Sequence, residues 1–311
     1  MILIAPDKFK GTYTSAAMCE LMAAAVNRAN PAARSILRPM SDGGEGFAEM
    51  WHAAGRSGTI VESSSLVGFA SFDKELPLMR RSSYALGAAI RPDTPTLLTI
   101  GGTAVSDGGA GFLQGLGVRF FDDSGRLIDE PLTPDSLPLI ASADTSALAA
   151  YRLTGIVDVK ASLVGPGLSA LDFARQKALP GEDLSRLPAA LIHLQKILGG
   201  RSDFDGAGGG IGYALASVIG ARCVNGAGLA VELIEPLLDS GCVSLVITGE
   251  GCVDRQTVEG GKLPDAVYRA ASAREIPTLV VGGRIEAKDA YPLMCKLTEL
   301  DICLKKLLSA Q

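Results

Sequence analysis

An α/β protein built on parallel sheets is predicted by three features of this sequence. Short aliphatic and β-branched runs alternate with longer segments of helical period, each run ends in a turn rich in glycine or aspartate, and the turns feed directly into the helices. Ile2 to Ala5 forms the first such run and leads through Pro6-Asp7 into a helical pattern over 14–29. The run 35–38 leads into a helix over 43–54, and Thr96 to Ile100 into one over 108–116. In the second half, strands are expected at 153–159, 243–248 and 277–281, with helices at 183–198, 208–219, 226–238 and 261–273. The stretch 121–150, with Asp122-Asp123-Ser124-Gly125 and three prolines, reads as a hairpin tip and an irregular connection. Ligands in such sheets bind at the carboxyl ends of strands, so the turns that follow the strands are where function is sought.

Composition narrows the class. With 311 residues, 47% hydrophobic and 20% charged, the chain can bury a large core, arranged as two domains or one large one. A formal charge of −5 from 29 basic and 34 acidic residues offers no basic face for nucleic acid, and aromatic residues at 5% argue against base stacking. Six cysteines lie outside any CxxC or Cys/His ligand spacing, and His52 and His193 are the two imidazoles, so free thiols in a reducing compartment are expected rather than a zinc site. The N-terminal run is a strand rather than a leader peptide, and no run reaches the roughly 18 apolar residues of a membrane span. The expectation is a soluble cytoplasmic protein with no nucleic-acid or membrane partner.

Ser41-Asp42-Gly43-Gly44-Glu45-Gly46-Phe47 recurs almost letter for letter as Ser106-Asp107-Gly108-Gly109-Ala110-Gly111-Phe112. Each copy follows an apolar stretch and precedes a helical one, a placement that turns backbone N–H groups and a positive helix end toward one point and suits an anion. The aspartates add hard oxygen ligands, which beside a phosphate require a divalent cation or a proton taken from the substrate. Helix capping by Asp42, with Glu45 three positions on, accounts for the spacing equally well but leaves the clustered glycines unexplained. Lys10, in Asp7-Lys8-Phe9-Lys10, could reach a phosphate from the end of the first strand. Val243 to Thr248 runs into Gly249-Glu250-Gly251-Cys252-Val253-Asp254, then Thr257 and Lys262, which reads as a strand-end loop able to place a cation and a phosphate together. Phosphoryl transfer is the reaction class these loops suggest. Walker-type, dinucleotide-binding and Ser-His-Asp hydrolase readings lack their motifs: there is no GxxxxGK[ST] and no GxSxG, and Ile211 breaks the GxGxxG register of the Asp205 to Gly212 tract.

These residues resemble the bacterial glycerate kinase type-1 family. Ile4-Ala5-Pro6-Asp7-Lys8-Phe9-Lys10 is similar to that family's IAPDSFK, Pro39 to Gly46 to its PMADGGEG, and Gly101 to Gly111 to its GGSATNDGGAG. Val246 to Gly251, Asp254, Gln256-Thr257 and Gly261-Lys262-Leu263-Pro264 resemble its LVITGEGxxDxQTxxGKxP. The resemblance implies ATP-dependent phosphorylation of glycerate to 2-phosphoglycerate, or of a close hydroxy acid, with Mg²⁺. It implies two α/β domains, flavodoxin-like and restriction-enzyme-like, one inserted in the other: 1–58 with 240–311, and 59–239. It leaves a homodimer open. Carried over by position, Asp42, Asp107 and Lys10 become the catalytic candidates, with either aspartate as the base. Gly43, Gly44, Glu45, Gly101, Gly102, Thr103, Gly108, Gly109, Ser83 and Lys262 are assigned to substrate and phosphates, and Glu250 and Asp254 to Mg²⁺.

The departures from that pattern are specific. Val105-Ser106 stand for its Thr-Asn, Cys252 for the arginine of GEGRxD, and Val157 to Ser162 and Phe173 to Ala178 for CDVTNP and FGPQKGA. In Arg81-Ser82-Ser83-Tyr84-Ala85-Leu86-Gly87, similar to TTSYGxGELI, Ala88 replaces the glutamate, and the section 57–95 is compressed. A thiol cannot reproduce a guanidinium fork, so Arg255 or Arg175 would have to compensate for Cys252. The competing reading of these changes is a degenerate paralogue that keeps the scaffold to bind a ligand or partner.

Overall fold

A computed structural model describes residues 1–9, 11–177, 180–259 and 261–309, which divide into two compact units. The first comprises Met1–Asp42, Glu49–Arg56 and Asn225–Gln311, the second Gly43–Ala48 and Ser57–Val224. In chain order the strands are β1 (Ile2–Ile4), β2 (Ser35–Leu37), β3 (Thr59–Glu62), β4 (Thr96–Thr99), β5 (Arg119–Phe121), β6 (Ser142–Asp144), β7 (Leu153–Val157), β8 (Arg222–Asn225), β9 (Leu245–Val253), β10 (Thr278–Ile285) and β11 (Met294–Lys296). Among the described residues no helix is long and apolar enough to cross a membrane.

The first unit holds a five-stranded sheet in the order β11-β10-β9-β1-β2, with every pairing parallel. Counted along this unit alone, the order is 2-1-3-4-5, that of doubly wound flavodoxin-like sheets. Its centre reads as continuous apolar runs because both faces are covered: Ile2, Leu3 and Ile4 in β1 and Leu245, Val246 and Ile247 in β9 are all buried. The helix Ser15–Ala29 covers one face. Thr14 starts it by accepting a hydrogen bond from the Ala17 N–H at 3.2 Å, and Met18, Cys19, Met22, Ala25 and Val26 form its buried stripe. The helix Gly226–Leu238, capped by Asn225, belongs to this unit, where its apolar stripe packs beside the helix Leu263–Ser272. The sequence boundary expected at 239/240 therefore falls at 224/225, because Ala227, Ala230 and Ile234 need an apolar face that the second helix offers.

The second unit has the sheet β3-β4-β7-β8, with β4 parallel to both β3 and β7, and a small antiparallel pair β5-β6; the tip expected at Asp122 to Gly125 is closed by an antiparallel bridge between Phe121 and Leu127 and lies between those two strands. Ile100, Val105, Phe112, Leu113, Phe120, Leu191, Leu194 and Tyr213 lie in its core.

Two boundaries differ from expectation for identifiable reasons. The helix expected from 43 begins only at Phe47, since Gly43 and Gly46 hold left-handed φ values of +106° and +88° that an α-helix excludes. Strand β9 does not stop at Thr248 but continues to Val253, pairing Gly249 with Val281, Glu250 with Gly282 and Cys252 with Arg284. Gly249 permits this because the strands approach closely; a Cβ there would sit 2.1 Å from the Val281 carbonyl oxygen. Gly249→Ala is expected to cost about 1–3 kcal/mol by overpacking. Gly181→Ala, where no atom lies within 4 Å of the added methyl, should shift stability by less than about 0.5 kcal/mol. Urea denaturation of both variants measures the difference.

Candidate active site

In an open parallel sheet the ligand crevice forms where neighbouring strands leave in opposite directions, here beyond β1 and β9. Asp7 follows β1, Asp42 follows β2, and Glu250 lies in the extended end of β9. Local bonds fix this rim. The Asp7 N–H donates to the Gly249 carbonyl at 2.9 Å, the Thr248 hydroxyl donates to the Ala5 carbonyl at 2.8 Å, and the Lys8 N–H donates to Asp7 Oδ1 at 2.8 Å. Asp7, Asp42 and Glu250 are nearly buried, at 7%, 8% and 8% exposure.

Their electrostatics report crowding. Burial first, then the neighbouring Asp42 charge, pushes the Asp7 carboxyl well above its ordinary range, with Glu250 adding a smaller push. Burial likewise raises Glu250; Lys262 and the Thr257 hydroxyl pull it back, while Asp42 and Asp254 oppose them. Lys262 Nζ lies 3.9 Å from Glu250 Oε2, at the start of the helix Leu263–Ser272. The Thr257 hydroxyl donates to Glu250 Oε1 at 2.6 Å and lies 3.4 Å from Asp254 Oδ1, so one side chain ties both acids together. The first unit thus gathers Asp42, Glu250, Asp254 and Lys262 from the sequence candidates. Lys10 lies outside the described residues. Asp42 is not a helix cap, since the following helix begins five positions later at Phe47.

The second copy of the heptapeptide behaves differently. Asp107 has no exposed surface, and its carboxylate is fully engaged: Oδ2 accepts from the Ser83 N–H and hydroxyl, both at 2.7 Å, and from the Gly111 N–H at 3.2 Å, while Oδ1 accepts from the Gly109 N–H at 3.1 Å. Burial nonetheless raises its carboxyl above the ordinary value, the four donors only moderating the shift. Ser83 Oγ accepts in turn from the Phe112 N–H at 2.7 Å, and the Gly108 N–H donates to the Gly209 carbonyl at 3.1 Å. Asp107, Ser83, Gly108 and Gly109 therefore form an internal lock, not the open cradle expected of them. The donors expected for a ligand are spent on the chain. The Asp205 to Gly212 tract packs against this lock: a Cβ on Gly210 would lie 2.3 Å from Gly108 Cα.

In the same unit the Gly101 N–H donates to the Gly43 carbonyl at 3.2 Å, and both glycines sit against the end of β7 through Ile156 and Asp158. Gly44 is buried beside them, whereas Glu45 and Gly102 are exposed and Thr103 is buried. His193 Nε2 meets the Ile140 carbonyl at 2.7 Å, a structural role, and all six cysteines are free. Cys252 has Arg284 as its cross-strand partner, whereas Arg255 is paired with Glu259 at 2.7 Å.

Comparison with known proteins identifies the family. The family model for the glycerate kinase family matches residues 2–64 and 51–300. The chain belongs to the glycerate kinase family. It is 30% identical to a glycerate kinase of Bacillus subtilis, with 91% of this chain and 85% of that protein covered, and 28% identical to a glycerate 2-kinase of Escherichia coli over the same shares. A crystal structure from Salmonella typhimurium LT2, described provisionally as glycerate kinase 2, superposes with a TM-score of 0.69 at 25% identity, covering 99% of this chain and 98% of that one.

Reading the family motifs residue by residue left three polar groups without a role. Asp7 was legible as the carboxylate closing β1, the strand next to the sheet's reversal point. Thr257 was visible in its motif, but its bridging of two acids needed the structure. Lys177, whose Nζ donates to the Val105 carbonyl at 2.6 Å and lies 3.5 Å from Thr103 Oγ1, is brought to the 101–106 loop only by the fold.

The two carboxylate environments give opposite expectations. A carboxyl whose pKa is higher folded than unfolded adds stability below the unfolded value and loses it as pH rises through the folded value. Asp7 and Glu250 thus weigh against the fold at neutral pH. Asp7→Asn should raise the thermal midpoint at about pH 7, with the gain vanishing as pH falls below about 4. Asp107→Asn should lose about 2 kcal/mol or more, because an amide nitrogen would face N–H donors that the carboxylate now accepts. Thermal melts across pH test both.

Proposed function

We propose that this chain transfers a phosphoryl group from ATP to a hydroxyl of glycerate, or of a close small hydroxy acid, with 2-phosphoglycerate as the product from glycerate. The observation that carries the reading is the set of nearly buried carboxylates, Asp7, Asp42 and Glu250, at the carboxyl ends of adjacent parallel strands with the Lys262 ammonium beside them. The names of the related proteins from Bacillus subtilis and Escherichia coli support the substrate.

The residues suit the chemistry as follows. Asp42 takes the proton of the attacking hydroxyl, a role that needs a fixed carboxylate at a strand end. Lys262 sets a point charge toward the phosphates. Glu250 and Asp254, linked through Thr257, would hold Mg²⁺. The surplus negative charge that raises Glu250 is the environment a cation relieves. Among the described residues no three His, Cys, Asp or Glu side chains form a closed metal cage, which fits an ion that usually takes one or two carboxylates and completes its shell with waters and phosphates. When bound, that ion neutralises charge developing on the phosphoryl oxygens. The protein's own share is positioning and charge placement.

A coupled assay should show ADP formation that requires D-glycerate, ATP and Mg²⁺ together, with phosphorus NMR placing the phosphate on the 2-hydroxyl. Asp42→Asn should lower kcat by about 100-fold or more with little change in the KM for ATP. The acid limb of kcat/KM should lie above the ordinary carboxylate range, since the raised carboxyls must lose their protons before they serve the reaction. Folded protein that makes no ADP with any small hydroxy acid would overturn the reading.

A further inference from the structure

The strand that lost an arginine at position 252 has one beside it. β9 and β10 run parallel, and their register sets Arg284 next to Cys252, the residue that stands where the pattern GEGRxD has its arginine. A hydrogen bond to the Cys252 sulfur does most to raise the Arg284 pKa, with the charges of Glu286 and Asp254 adding to it. The two arginines that the sequence offered as substitutes are engaged elsewhere. Arg255 is paired with Glu259 at 2.7 Å, and Arg175, in the second unit, with Asp172 at 3.0 Å.

Arg284 is not a structural staple. Its side chain is 72% exposed, and its Nε lies 2.9 Å from Oε1 of Glu286, itself 53% exposed. An exposed pair of this kind contributes little to stability and leaves the guanidinium available to a more highly charged partner. The location supplies such a partner. Both residues lie toward the carboxyl ends of parallel strands, where ligands bind. Asp254 acts on Arg284 and on Glu250 alike, Thr257 ties Asp254 to Glu250, and Lys262 lies 3.9 Å from Glu250. A run of neighbours thus leads from Lys262 through Glu250, Thr257 and Asp254 to Arg284, all within the first unit. Cations end the run and acids occupy its middle. That is the charge order a metal-bound polyphosphate needs, with the ion on the carboxylates and phosphate oxygens on the cations.

We propose that Arg284 binds the phosphates of ATP in this chain, supplying from β10 the guanidinium that position 252 lacks, so that the bound phosphates cover Cys252. The nucleotide's name rests on the kinase reading above; the placement of the guanidinium rests on the register of β9 and β10. Arg284 donates N–H bonds to phosphate oxygens and takes no part in moving the proton of the acceptor hydroxyl.

The test combines alkylation with calorimetry on the full chain. Saturating Mg²⁺ and ATP should slow iodoacetamide labelling of the partly exposed Cys252 about fivefold or more, read by peptide mass spectrometry, while adenosine does not and the exposed Cys242 is unaffected. This arm uses wild type alone and so answers even if no variant folds. Arg284→Gln should weaken Mg²⁺-ATP about tenfold or more, leave adenosine and D-glycerate binding unchanged, and move the thermal midpoint by less than about 2 °C. Arg284→Lys should fall between, since charge survives without the fork. Adding Cys252→Arg to Arg284→Gln should restore most of the ATP affinity, which a merely structural role for Arg284 would not allow. Labelling of Cys252 that ignores ATP overturns the inference, as does a folded Arg284→Gln that binds ATP like wild type or loses adenosine in step with ATP. ATP protection through Arg284 without ADP formation from any small hydroxy acid sinks the kinase reading alone. Turnover with an unchanged KM for ATP in Arg284→Gln sinks this inference alone.

Discussion

Negative charge concentrated at the carboxyl ends of β2, β1 and β9 is the constraint on which the first unit is organised. Three acids held at 7–8% exposure repel one another, and nothing in their own chemistry would bring them together. The sheet does so by force of its apolar centre. β1 is paired on both sides and buried on both faces, and the Asp7 N–H and Thr248 hydroxyl fasten its exit to β9. Lys262 and Thr257 offset part of the repulsion at Glu250, and the remainder is stored as carboxyls that hold protons too tightly. Sites of this kind are typically built at the expense of stability, and a cation or a phosphate-bearing ligand has most to gain where such charge is already fixed in place.

The second unit solves the same loop chemistry in the opposite way. Its aspartate is enclosed, and four donors converge on it from Ser83, Gly109 and Gly111. The consequence is rigidity. With Asp107 clamping the start of the helix Ala110–Gly115, the preceding loop is fixed, with Gly102 exposed and Gly101 and Thr103 buried upstream of it. Arg81 and Lys177 hold successive carbonyls of that loop.

Much of the fold was legible because it follows periodicity. The buried runs at 2–4 and 245–247 and the stripe of Met18, Met22, Ala25 and Val26 carry their own burial pattern in the letters. What failed was the reading of glycine. Gly249 and Gly251 looked like a loop, yet Gly249 lets β9 run on against Val281, and Glu250 is thereby a strand residue aimed by sheet geometry instead of a loop residue. Gly43 and Gly46 looked like the opening of a helix and instead delay it. A glycine states that something comes close; it does not state whether that is a ligand, a neighbouring strand or the chain's own turn. Partners such as Val281, Gly101 and Gly209 lie far away in sequence, so no local window contains the answer.

The twin heptapeptides make the same case for charge. Their aspartates share the neighbours Ser, Gly and Gly, and by local reading both were anion or metal sites. What separates them is the company supplied by distant segments. Asp42 emerges beside β1, whose exit carries another carboxylate, and its charge pushes against that of Asp7. Asp107 emerges opposite Ser83, twenty-four residues away in sequence, which meets it with an N–H and a hydroxyl and closes it off. A carboxylate whose acceptor sites are filled by fixed donors has nothing left to offer a substrate hydroxyl, whereas one surrounded by other acids is forced to seek a cation or a proton. Strand order, not loop sequence, decides which of the two a given Ser-Asp-Gly-Gly becomes.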